Sequence, residues 1–76
     1  MMMTISLAIL AENKQIDIMV NDEQRIGNTL EVVKEQGVIR ENKNMILRSQ
    51  RSRQRINPQH SYKEEHIYNG DILCME

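Results

Sequence analysis

The sequence predicts an α+β domain in which one helix packs across one face of a mixed sheet of four to five strands. Three observations predict it. Residues 4–20 alternate apolar and polar in two runs, the period of a strand pair with one buried face. A stripe of apolar residues at helical spacing follows over 26–33. Near the end, Asn69-Gly70-Asp71 marks a turn, and Ile72 to Met75 alternates again.

The first run, Thr4 to Ala11, places Ile5, Leu7 and Ile9 on one face and Ser6, Ala8 and Leu10 on the other. The second, Gln15 to Val20, turns Ile16, Ile18 and Val20 inward and Gln15, Asp17 and Met19 outward. Glu12-Asn13-Lys14 is a polar connector of hairpin length. Asn21-Asp22-Glu23 supplies a helix start, because short polar side chains accept free N–H groups and acidic ones suit a helix N-terminus. Ile26, Leu30 and Val33, with the Thr29 methyl, form the buried stripe, so the helix should run from about Glu23 to Gln36. Gly27 weakens its first turn by about 1 kcal/mol relative to alanine. Gly37 can adopt the left-handed conformation that ends it.

Val38 and Ile39 are expected to pack back under the helix end, with Arg40 to Asn44 a polar connector. Met45 to Ser49 reads as a third strand, with Met45 and Leu47 facing in and Ile46 and Arg48 facing out. Gln50 to Gln54 reads as a turn, followed by a short strand around Arg55-Ile56 that Pro58 ends. Ser61 to Ile67 reads as a loop or one-turn helix whose Tyr62 and Ile67 plug the core. In the last strand Leu73 and Met75 point in, and Ile72 and Cys74 point out.

Seventy-six residues make one domain, over 4–76, with Met1-Met2-Met3 set aside as an N-terminal leader or expression remnant. There is no Phe or Trp, so the core must be built from Ile, Leu, Val and Met. Ten basic and eleven acidic residues leave a net charge of -1, which argues against a polyanion partner. One cysteine excludes an internal disulfide and fits a reducing compartment. No apolar run approaches the roughly 18 residues of a membrane span. A soluble cytoplasmic protein is the simplest reading.

The segments Ile16-Asp17-Ile18-Met19-Val20, Ile26 six residues on, Gly37, and Ile67-Tyr68-Asn69-Gly70-Asp71-Ile72-Leu73 resemble the ubiquitin-like β-grasp family from Thr4 to Glu76. The ending Gly70-Asp71-Ile72-Leu73 is similar to that of the small stand-alone YukD/EsaB type. That resemblance implies first and last strands lying parallel at the sheet centre. It also implies a non-enzymatic, cytoplasmic accessory component of a type VII (ESX-like) secretion system of Gram-positive bacteria. Its protein partner would be a secretion ATPase or membrane component. The chain departs from the type in its Arg-rich third and fourth strands and its scarcity of aromatics. Met75-Glu76 supplies no Gly-Gly, which a sulfur carrier or conjugated modifier requires, so conjugation is not expected.

Two constellations could carry function. Arg48, Arg51, Arg53 and Arg55 would present guanidinium groups on one sheet edge, suited to bidentate pairing with carboxylates. The plainer reading is a solvated edge whose charges discourage strand pairing. Ile46, Ile72 and Cys74, ringed by Arg48, would form a patch on the outer face, and exposed apolar patches mark interfaces. A one-residue slip of register would invert that face. No cofactor, metal or catalytic site is expected. Cys74 has no neighbouring His, and His60 and His66 are not accompanied by a cysteine pair. The three glycines are isolated and form no phosphate loop. The alternative is a regulatory or carrier β-grasp domain of another bacterial pathway. A nucleic-acid-binding module is disfavoured, because no aromatic interleaves the arginines.

Overall fold

A computed structural model describes residues 1–37 and 46–76. Strand β1 (Met2–Ile9) leads through a 3-10 turn, Leu10–Glu12, into β2 (Lys14–Asn21). Helix α1 (Ile26–Glu35), β3 (Leu47–Ser49) and β4 (Ile72–Met75) follow. The sheet order is β2-β1-β4-β3. β1 and β4 lie parallel at the centre, from Ser6↔Ile72 to Ile9↔Met75, with antiparallel partners on either side. The expected mixed sheet with a parallel centre is the observed one. The placements expected for Val38, Ile39, residues 40–44 and Met45 fall outside the described residues.

Alternation predicts the buried face correctly. Ile5, Leu7, Ile9, Val20, Leu47, Leu73 and Met75 are all buried, whereas Ile16 and Ile18 are half-buried near the open side of the sheet. Met3 corrects the boundary set at residue 4. It is buried in the core and pairs with Val20 inside β1, because the alternation of that strand continues two residues further toward the N-terminus. The hairpin connection is also longer than expected. Leu10 and Ala11 leave the strand for the 3-10 turn, which Asn13 closes in the left-handed region at φ 49°. Asparagine tolerates that conformation better than most residues.

The helix begins at Ile26, three residues after the expected start at Glu23. Asn21 does not cap it. Its side-chain oxygen accepts the Glu23 N–H, and its carbonyl accepts the Gln24 N–H, so residues 21–24 form a turn. The first helical amides are instead satisfied by a distant loop: Ile26 N–H donates to the His60 carbonyl and Gly27 N–H to the Pro58 carbonyl at 2.8 Å. Arg25, the residue preceding the helix, makes no capping hydrogen bond with its side chain. This arrangement gives Gly27 a reason. A β-carbon there would stand 3.1 Å from the Pro58 carbonyl oxygen, which the Gly27 amide itself holds in place. Gly37, at φ 73°, ends the helix with its N–H on the Lys34 carbonyl, as a C′ glycine should.

Ile26, Thr29 and Val33 are buried and Leu30 is half-buried, so the expected stripe is the one that meets the sheet. Tyr62 and Ile67 close the other end of the core, both nearly inaccessible. The strand expected around Arg55-Ile56 shrinks to a single bridge, Arg48↔Arg55, with Ile56 N–H donating to Leu47 O. Pro58 soon afterward has no N–H to extend a ladder. Ile56 is buried nonetheless.

The 57–66 loop that holds the helix start is itself tied by carboxylates. Ser61 and Glu64 form a reciprocal capping box, each accepting the other's backbone N–H. Glu65 accepts the Asn57 N–H and lies 3.2 Å from His60 Nδ1. The hydrogen bonds from Ser61 hold the Glu64 carboxyl below its ordinary value of 4.5. The hydrogen bond from the Met1 amino group does the same for Asp22, ordinarily 3.8. A carboxyl depressed in the folded state stabilises fully above its unfolded pKa, and that contribution is lost as pH falls through the folded value. The melting temperature is therefore expected to stay level from pH 7 to 5 and to fall below about pH 4.5. Glu64→Gln, which retains an acceptor but does not titrate, should flatten that acid limb in a pH series of thermal melts. An unchanged limb would show that Glu64 is not among the groups responsible.

Candidate protein-docking face

The face of the sheet away from α1 is built row by row from the strand registers. Arg48 pairs with Cys74, Cys74 with Ala8, and Ala8 with Gln15, so these four side chains cross the sheet in one line. The next row runs Ile72, Ser6, Asp17. Ile46 continues past the end of β3, exchanging backbone hydrogen bonds with Glu76 at 3.0 and 2.9 Å. Ile46, Arg48, Ile72 and Cys74 are half-buried on this face, as alternation requires once Leu47, Leu73 and Met75 turn inward.

Beside Cys74 lies an open depression of about 320 Å³, lined by Leu10, Arg48, Ser49, Gln50, Arg53 and Glu76 as well. Leu10, which lines it, is 54 % exposed. Alternation had put Leu10 and Ala8 on this face, but only the turn geometry brings Leu10 next to the β4 end.

The four arginines do not act as one cluster. Arg51 turns away to fasten the last turn: its Nη2 donates to the His66 carbonyl at 2.9 Å and to Asp71 Oδ2 at 3.2 Å. Its guanidinium also lies over the Tyr68 ring, 5.3 Å from the centroid. Asp71 in turn accepts the Tyr68 N–H, and the chain reverses through Gly70 at φ 87°. Arg51 is thus a clasp of the fold. Arg48 and Arg53 converge on the depression, and Arg55 stands directly across from Arg48. Arg48 Nε lies 3.6 Å from Glu76 Oε2, a pair half-open to solvent and therefore weak. Arg53 is held in place by its own backbone, with φ 60° and its N–H on the Ser49 carbonyl. Among the described residues no side chain pairs with the Arg53 or Arg55 guanidinium.

An apolar floor with guanidinium groups on its rim can seat an aliphatic side chain and a carboxylate together. Among the described residues there is no group of three or more metal-binding side chains. Nor is any helix there long and apolar enough to cross a membrane.

The parallel β1–β4 pair at the centre of the sheet decides the fold. It is ubiquitin-like. A protein designed de novo on the basis of ubiquitin superposes with a TM-score of 0.80, covering 99% of this chain and 87% of its own, at 17% identity. No protein-family model matches the chain, and no curated protein matches it. The likeness speaks to the ubiquitin-like architecture alone.

Proposed function

We propose that this ubiquitin-like domain is a non-enzymatic docking module that captures another protein through the outer sheet face. The observation that carries it is the convergence of Arg48 and Arg53 on the exposed Leu10 and half-buried Cys74. Ile46 and Ile72 extend the apolar surface, and Arg55 extends the positive rim. The matching partner surface offers an aliphatic side chain beside Asp or Glu. The resemblance of Gly70-Asp71-Ile72-Leu73 to the YukD/EsaB type supports a cytoplasmic, accessory role in a type VII secretion system. The partner is then the secretion ATPase or the cytoplasmic part of a membrane component.

The test is capture of those components by the immobilised domain. Arg48, Arg53 and Arg55 changed together to Glu should weaken capture at least about tenfold, since like charges would face the acidic surface. Capture by the parent should also fall with added salt. Arg51 is left intact because reversing it would unfasten the Tyr68–Asp71 turn. Unchanged capture by the triple variant removes this face from the mechanism. Capture of enzymes unrelated to secretion, with the same Arg dependence, keeps the face and overturns the pathway.

A further inference from the structure

β2 is an outer strand of the sheet, and its ladder with β1 runs unbroken from Met2↔Asn21 to Ile9↔Lys14. The Asp22 N–H donates to the Met1 carbonyl, which sets the phase of that ladder. Hydrogen-bonded pairs recur at every second residue of an antiparallel pair. Lys14, Ile16, Ile18 and Val20 therefore aim their backbone groups at β1. Gln15, Asp17 and Met19 aim theirs away from the sheet, and no backbone partner meets them among the described residues.

Edges of this kind are usually guarded by proline, a bulge or a projecting charge. β2 contains no proline, and its register shows no bulge. Its central charge, Asp17, accepts the Ser6 hydroxyl from the neighbouring strand, which holds the carboxylate over the sheet rather than beyond its edge. Ile16 and Ile18 are only half-buried, and Met19 is 69 % exposed.

We propose that β2 pairs antiparallel with β2 of a second copy about a two-fold axis, joining two four-stranded sheets into one. The ladder phase restricts the register, because only the outward-aimed residues can exchange hydrogen bonds across the new edge. Two registers cover most of the strand. One sets Asp17 against the partner's Asp17, and like charges directly opposite repel. The other sets Asp17 against the partner's Met19, and Met19 against the partner's Asp17. In that register Ile18 meets the partner's Ile18 and Ile16 meets the partner's Val20, so apolar side chains face apolar side chains along the seam. The sequence is complementary to itself in this register, which is the reason to name a second copy as the occupant. The axis passes through the sheet, so both outer faces point the same way. Two docking depressions then lie on one side of the joined sheet, separated by β1 and β2 of both copies, for a partner with repeated sites. The dimer does not depend on the docking reading.

Sedimentation equilibrium of the parent, Met19→Glu and Met19→Lys tests the register. A glutamate would face the partner's Asp17 twice and a lysine would complement it twice. Dimerisation should weaken with Glu and tighten with Lys, each by roughly 2- to 30-fold. Hydrogen exchange supplies the second readout: the Asp17 and Met19 amides should gain protection as protein concentration rises. A parent that stays monomeric up to about 1 mM overturns the proposal. So do substitutions that shift the equilibrium in the same direction, or edge amides whose exchange ignores concentration.

Discussion

Ile26→Asp is expected to leave the chain unfolded at 25 °C. Ile26 is fully buried at the first residue of α1, in the cluster that includes Ile5, Leu7 and Leu73. A carboxylate there must either stay ionised without a partner or take up a proton, and each route costs several kcal/mol. A chain of this length has roughly 4–11 kcal/mol of total stability, so the loss takes most or all of it. Far-UV circular dichroism and the dispersion of amide resonances report the outcome. Ile26→Val, which removes one methyl group, should stay folded and lose only about 0.5–1.5 kcal/mol. If the Asp variant melts like the parent, α1 does not rest on the sheet by this face.

Tyr62→Ala is expected to cost about 3–5 kcal/mol, in the range of buried aromatic truncations. Tyr62 is 1 % exposed and is one of only two tyrosines in a chain with no Phe or Trp, so no neighbouring ring can fill the space. The Thr29 side chain, whose oxygen accepts from Gln24 Nε2 at 2.9 Å, lies close enough to the Tyr62 hydroxyl to oppose part of the rise that burial gives its pKa. Tyr62→Phe should therefore lose about 1 kcal/mol, the worth of one hydrogen bond, and keep the packing. Burial raises the Tyr62 pKa above its ordinary 10.0. A group raised in the folded state stabilises below its unfolded pKa, and that contribution is lost as pH rises through the folded value. The Phe variant should accordingly show a shallower loss of stability above pH 10. Urea unfolding at two pH values measures all three effects. Equal losses for Ala and Phe would assign the role of Tyr62 to its hydroxyl rather than its ring.

The elements that were legible in the sequence share one property: their signal is local. The faces of β1 and β2, the Ile26–Thr29–Leu30–Val33 stripe, the Gly37 stop and the Leu73/Met75 alternation each follow from residues a few positions apart. Local rules failed where the decisive partner was distant. Asn21-Asp22-Glu23 has the composition of a cap, yet α1 starts at Ile26 because its amides are met by carbonyls of Pro58 and His60. Met3 is the exception: its spacing from Ile5 and Leu7 continues the local alternation, but the three initial methionines resemble a remnant, and the structure buries it opposite Val20.

The same division runs through the candidate site. Strand periodicity alone put Ile72 and Cys74 on one face with Arg48, since successive side chains must alternate. It could not divide the arginines. Arg51 lies three residues from Arg48 and two from Arg53, but Asp71, His66 and Tyr68 draw it to the opposite task of fastening the chain. Those partners sit 15 to 20 residues away, close only after the loop has folded back. By itself the sequence determined which residues are apolar at which period, and hence the strands, the helix and the buried side of each. The tertiary structure alone decided which amides and guanidinium groups are satisfied within the fold and which remain open. Hydrogen bonds and ion pairs act over a few ångströms of space, whatever the separation along the chain.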